Sequence, residues 1–131
     1  LYCASKFALE GFTEALSYEL ASQNIAVKLV IPFSGITGTR FNERSARDFV
    51  ADTRLTDYDA FTANTHAAFE RMKQASSISA DTVAERIHEA LTDGSDRLRY
   101  LIGEDSRGFV KARRELSEEA YIGFMRSYFK A

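Results

Sequence analysis

The sequence predicts an α/β fold built on two parallel strands with helices around them. Three observations carry that expectation. Residues 3 to 22 place Ala4, Ala8 and Ala15 at helical spacing, with Phe7, Gly11, Phe12, Leu16 and Leu20 around them. Ile25-Ala26-Val27-Lys28-Leu29-Val30-Ile31 is short and β-branched, and reads as a strand buried on both faces, as in a parallel sheet. Arg97 to Gly103 reads as a second strand, and the helical segment between the two makes their connection a parallel crossover with a large insertion.

The remaining elements follow in order. Gln23-Asn24 ends the first helix, since Asn tolerates the backbone of a helix terminator. Pro32 stops the first strand. Ser45 to Val50 is a candidate helical turn. Tyr58 to Ala75 is a helix with Phe61, Thr65, Ala68, Phe69 and Met72 facing inward at spacings of three and four. Ser79 caps a helix to Leu91, with Asp81 in its first turn and Val83, Ala84, Ile87, Ala90 and Leu91 as its apolar stripe. Gly94 stops that helix. Arg107 to Arg114 is a short helix whose Lys111, Arg113 and Arg114 read as a solvated basic end. Ser117 caps a last helix from Glu118 to Phe129, with Ala120, Tyr121, Phe124, Met125 and Tyr128 on its apolar face.

Composition bounds the function. A length of 131 residues suits one domain, and 45% hydrophobic with 27% charged residues is an ordinary globular balance. A net charge of −2 gives no electrostatic reason to expect nucleic acid or an anionic membrane as partner. The single cysteine, Cys3, has no partner for an internal disulfide and no Cys/His cluster beside it, so no metal is expected. That usage fits a reducing, cytoplasmic setting. No apolar run approaches the roughly 20 residues a membrane span needs.

The chemistry sits at the start of the chain. Tyr2 and Lys6 are four apart, so they share one face of the first helix. A cation held near a phenol favours the phenolate, and a phenol brought towards neutral pH is a usable general acid or base. Taken alone, such a pair is more often surface decoration.

The neighbouring residues are more specific. Tyr2, Ala4, Ser5, Lys6, Ala8, Gly11, Phe12, Glu19 and Leu20 together resemble the active-site helix of the short-chain dehydrogenase/reductase family. That resemblance implies the C-terminal half of a Rossmann-like, doubly wound parallel sheet, a fragment lacking the N-terminal nucleotide-binding half. Residues 1–131 would then be part of a single domain, with a substrate lid at about 42–77. The implied activity is hydride transfer between NAD or NADP and an alcohol or carbonyl substrate. Tyr2 would be the general acid/base, and Lys6 would lower its pKa and bind the nicotinamide ribose. Such a lid shields hydride transfer from water and reads the substrate. His66 has no assigned role.

The loop after the first strand is the place to look for a ligand, because open α/β folds bind at the carboxyl ends of their strands. Pro32 to Phe41 resembles the family's loop over the nicotinamide, and on that basis Pro32, Gly35, Ile36, Thr37 and Thr39 are candidate cofactor contacts with Tyr2 and Lys6. Phe33-Ser34 stands where the family has Pro-Gly directly. Aligning Gly35 with the family glycine puts Thr39 on the family threonine and Phe41 on a common aromatic. The alternative aligns Phe33 and leaves the threonine out of register. Leu98 to Gly103 resembles the family's last strand, often followed by an acidic residue, here Glu104-Asp105.

No dinucleotide fingerprint such as Gly-x-Gly-x-x-Gly occurs in these residues, and the family's catalytic serine lies upstream of its tyrosine. The chain by itself is therefore expected not to turn over substrate. The family often assembles through this helix, and the small face Ala4, Ala8, Gly11 and Ala15 permits close approach, so the whole protein is expected to form a homodimer or homotetramer. Two other readings remain: a binding or regulatory protein that kept the fold, and a helical interaction module without strands.

Overall fold

The computed structural model describes residues 1–32, 35–48, 52, 54–75, 77–103 and 108–129. Phe33, Ser34, Phe49, Val50, Glu104, Asp105 and Arg107 lie outside them, as does the side chain of Met72. The chain divides into two compact units, one of residues 1–33 and 79–102, the other of 34–78 and 103–131.

The first unit holds helix α1 (Tyr2–Ala21), strand β1 (Leu29–Pro32), helix α4 (Ala80–Thr92) and strand β4 (Arg99–Ile102). β1 and β4 pair in parallel, with Leu29 opposite Arg99 and Pro32 opposite Ile102. This pair excludes the strandless module. α1 ends as its Gln23-Asn24 signal predicts. Asn24 takes a left-handed φ of 56°, its N–H donates to Ala21 O at 3.0 Å, and Ile25 N–H donates to Leu20 O at 3.3 Å. These two bonds are the Schellman closure of a helix end.

β1 begins at Leu29, four residues later than the β-branched run suggests. Ile25 is spent on the helix closure. The ladder opens only where β4 supplies a partner, with Leu29 N–H donating to Leu98 O at 2.7 Å. Leu29, Val30 and Ile31 are half-buried and not fully enclosed. Among the described residues β4 is the one strand beside β1.

Successive side chains of a strand point to opposite faces. Tyr100 and Ile102 are 3% and 2% exposed, and Tyr100 reaches Asp93 at the end of α4. Arg99 on the other face reaches α1. The strand pair therefore carries a helix on each side, the pattern of a doubly wound parallel sheet. Ser79 caps α4 by accepting from Thr82 N–H at 3.0 Å. Ala90 is buried, yet Ile87 and Leu91 of the expected stripe are exposed. Two strands about 4.8 Å apart make a platform narrower than a helix about 10 Å wide.

The second unit holds strand β2 (Gly35–Thr37), helix α2 (Phe41–Asp48), a 3-10 turn (Thr56–Tyr58), helix α3 (Asp59–Ala75), strand β3 (Ser77–Ser79), helix α5 (Phe109–Glu115) and helix α6 (Glu118–Phe129). α6 packs on α3 and α5. Phe109 meets Tyr128 edge-on at 4.8 Å and Phe124 at 5.9 Å between ring centroids. Ser117 accepts from Ala120 N–H at 3.3 Å, which makes it the cap of α6. α3 buries Ala68 but leaves Phe61 and Phe69 exposed, so those two rings do not enter the core as their spacing suggests. Among the described elements, α6 and the 3-10 turn are the main neighbours of α3, and one helix face of that width has no room for them.

Candidate active site

α1 buries no residue, but Glu10, Thr13, Glu14, Leu16, Ser17 and Leu20 are half-buried. Glu10, Thr13, Glu14, Ser17 and Leu20 recur at three and four residues, so they form the stripe that faces the strands. Tyr2 and Lys6 continue that stripe towards the helix N-terminus. Both are exposed, Tyr2 at 61%. The Lys6 ammonium lies 5.4 Å from the Tyr2 ring centroid, the juxtaposition their spacing predicts. Ser5 turns its hydroxyl back to donate to Tyr2 O at 2.7 Å.

The direction of α1 follows from its contacts. Arg99, the first residue of β4, donates to Glu10 at 2.8 Å and also to Glu14. Ser17, Tyr18 and Ala21 line a cavity of about 560 Å³ with Val27, Gly94, Ser95 and Leu98, which lead into the two strands. Going up the helix is thus going back along the strands, so α1 runs antiparallel to them. Eight residues separate Tyr2 from Glu10, about 12 Å at about 1.5 Å per residue. Tyr2 and Lys6 accordingly project at the end of the unit where β1 and β4 finish at Pro32 and Ile102. Open α/β folds bind ligands at that end.

Pro32 closes β1 as its last, exposed residue. Gly35, Ile36 and Thr37 belong to the second unit and form strand β2, where a glycine-rich loop was expected. Ile36 and Thr37 are β-branched and suit a strand, and β3 pairs with them. Thr37 donates its hydroxyl to Ile78 O at 3.2 Å, and Thr39 donates to Ile36 O at 3.3 Å. Among the described residues, chain neighbours aside, no atom lies within 4 Å of where a Gly35 Cβ would stand, while Gly38 has a φ of +75° that favours glycine. Thr39 lines a second cavity, of about 350 Å³, with Arg40, Phe41, Arg44 and Ser45. Arg40 is forked onto Glu43 at 2.7 and 3.0 Å.

Two clusters escape a reading of motifs. The first joins β4 to α1: Arg99 with Glu10 and Glu14. The Arg99 guanidinium, then the Tyr18 hydroxyl at 2.9 Å, hold the Glu14 carboxyl below its usual range. The second ties the strand entrances together. Lys28 donates to the Tyr100 hydroxyl at 3.2 Å, to Ser95 O and to Asp93 at 3.5 Å. Asp93 accepts further from Tyr100, from Ser95 N–H at 3.0 Å and from the Ser95 hydroxyl at 2.9 Å. A lysine interrupting an apolar run, and an Asp-Gly-Ser turn, were the available signals. Among the described residues no group of three or more His, Cys, Asp and Glu is placed to hold a metal.

The model of the short chain dehydrogenase family matches residues 1–49, which contain α1, β1, β2 and α2. This part of the chain is similar to that family. Two uncharacterized oxidoreductases of Schizosaccharomyces pombe are each 29% identical over 123 residues, covering 93% of this chain and 49% of theirs. The 3-oxoacyl-acyl-carrier-protein reductase FabG of Rickettsia conorii is 36% identical over 85 residues, covering 63% of this chain and 35% of its own. The chain thus spans about half the length, or less, of the curated relatives it matches. No solved structure matches it significantly. Among the described residues no helix is long and apolar enough to cross a membrane.

Proposed function

We propose that the protein this chain belongs to is an NAD- or NADP-dependent oxidoreductase acting on an alcohol or carbonyl. The observation that carries this is the Tyr2–Lys6 pair, stacked 5.4 Å apart and exposed at the carboxyl end of a parallel strand pair. The nicotinamide would supply the hydride when bound. Tyr2 would donate its phenolic proton to a carbonyl oxygen in reduction, or take it from an alcohol in oxidation. Lys6 would hold a positive charge beside the phenol and donate to the ribose hydroxyls.

The residues present suit such a cofactor. Pro32 ends a strand at the ligand-binding edge of the first unit; in the second, Gly35, Ile36, Thr37 and Thr39 would be further cofactor contacts, with Thr39 opening onto a cavity. Residues 42–77 would serve as the lid that reads the substrate, within a single family domain. A substrate class comes from the FabG relative: a 3-oxoacyl thioester is one carbonyl to test. Residues 1–131 alone are expected to be inactive.

Turnover of NADH or NADPH with a panel of ketones and 3-oxoacyl thioesters tests the proposal in the full-length protein. Tyr2→Phe should lower kcat about 100-fold or more with cofactor binding retained. Undiminished turnover would reject the assignment. A binding or regulatory protein is the second reading, motivated by the Thr37 and Thr39 hydroxyls already donating to main-chain carbonyls. It predicts cofactor affinity with no turnover of any carbonyl in the panel.

We also propose self-association as a homodimer or homotetramer. Ala4, Ala8, Gly11 and Ala15 lie on the side of α1 opposite its half-buried stripe, flanked by exposed Phe7 and Phe12. A sedimentation profile of a single monomeric species would oppose it.

A further inference from the structure

We infer that Arg99 is a positioning residue for the Tyr2–Lys6 pair. The inference rests on the reading of that pair as the active site and adds the group that sets its place. Within this chain α1 meets the strands through half-buried side chains, and Arg99 grips it from the strand side. It stands at the first position of β4, at the level of Leu29 in β1. Its Nε donates to Glu10 at 2.8 Å, and its terminal Nη2 donates to Glu14.

One planar guanidinium thus grips two carboxylates a helical turn apart, and that geometry has one solution along the helix axis. Isolated exposed ion pairs contribute little, but a forked, partly shielded network with a rigid donor is the exception. Arg99 is 28% exposed in its side chain, and Glu10 and Glu14 are 44% and 39%. A slip of the grip by one turn would carry Tyr2 about 5.4 Å along the axis. Proton transfer tolerates far less, since reacting atoms must come to about 3 Å.

The test uses full-length protein labelled with 3-fluorotyrosine. The Tyr2 fluorine signal is the one missing from Tyr2→Phe. Arg99→Met should displace that signal, and Glu10→Gln with Glu14→Gln should displace it in the same direction. The two changes alter charge oppositely, so a direct field effect would move the signal oppositely. Combining all three should add nothing further, because one linkage is broken in each case. In an NADPH turnover assay with a 3-oxoacyl thioester, kcat should fall about tenfold with KM near its original value. A role confined to stability would lower the melting temperature and leave the Tyr2 signal and kcat in place, and that outcome overturns the inference. If Tyr2→Phe proves fully active while Arg99→Met still moves the signal, the site reading fails and the positioning role stands. If Tyr2→Phe is inactive and the signal does not move, the site stands and Arg99 is not its positioner.

Discussion

The Lys28 ammonium donates to the Tyr100 hydroxyl at 3.2 Å, from just before one strand to the middle of the other. Asp93 completes the contact by accepting from both. Tyr100 is 3% exposed, so its hydroxyl needs partners, and Lys28, Asp93 and the Ser95 hydroxyl at 3.1 Å supply them.

The same cluster makes stability depend on acid. The Tyr100 hydroxyl above all, then Ser95 N–H, hold the Asp93 carboxyl well below the usual carboxylate range, against its burial. A depressed carboxylate contributes stability that is whole above its unfolded pKa of about 3.9 and is lost as pH falls below it. Asp93→Asn should lower the melting temperature at pH 7 and flatten its decline below about pH 4. Melting curves from pH 2 to 7 check this; parallel declines in the two proteins would refute it.

The alkaline side has the opposite sign. Burial pulls Lys28 down, but Tyr100 and Asp93 together outweigh it and raise the amine above its ordinary value. Its contribution is whole below about pH 10.4 and is lost as pH rises through the raised folded value. Lys28→Met should therefore lower the melting temperature at pH 8 and weaken its dependence on pH above about 10.

Ile102 lies at the end of β4 and is 2% exposed. Ile102→Ala should cost about 2–5 kcal/mol, from lost transfer energy and the cavity left behind. Urea denaturation of the full-length protein measures it. A loss of a few tenths would mean the site collapses freely.

Ser79 caps α4 through Thr82 N–H, so Ser79→Ala should cost about 1 kcal/mol. Asp at the same position should restore most of it, because it accepts the same bond.

Two glycines should respond oppositely. Gly94 has a φ of +68°, while Gly11 is helical and, beyond its chain neighbours and its own helix backbone, no described atom lies within 4 Å of a Cβ. Gly94→Ala should cost about 1–2 kcal/mol. Gly11→Ala should stabilise by up to about 1 kcal/mol through helix propensity. Equal signs in thermal melts would contradict the backbone argument.

Local pattern determined much of this chain. Asn24, Ser79 and Ser117 mark helix ends because each acts on backbone groups within a few residues. The Tyr2–Lys6 stacking is equally local, set by helical geometry alone. What tertiary structure decided involves partners far apart in sequence. The start of β1 waits for Leu98, and Gly35–Thr37 is a strand because β3 lies beside it. Leu91 and Phe69 stay exposed because the elements beneath them are narrow. The Arg99 fork spans 89 and 85 residues, and no local spacing encodes it; a charge at the first position of a strand acquires its meaning only from the helix laid across it.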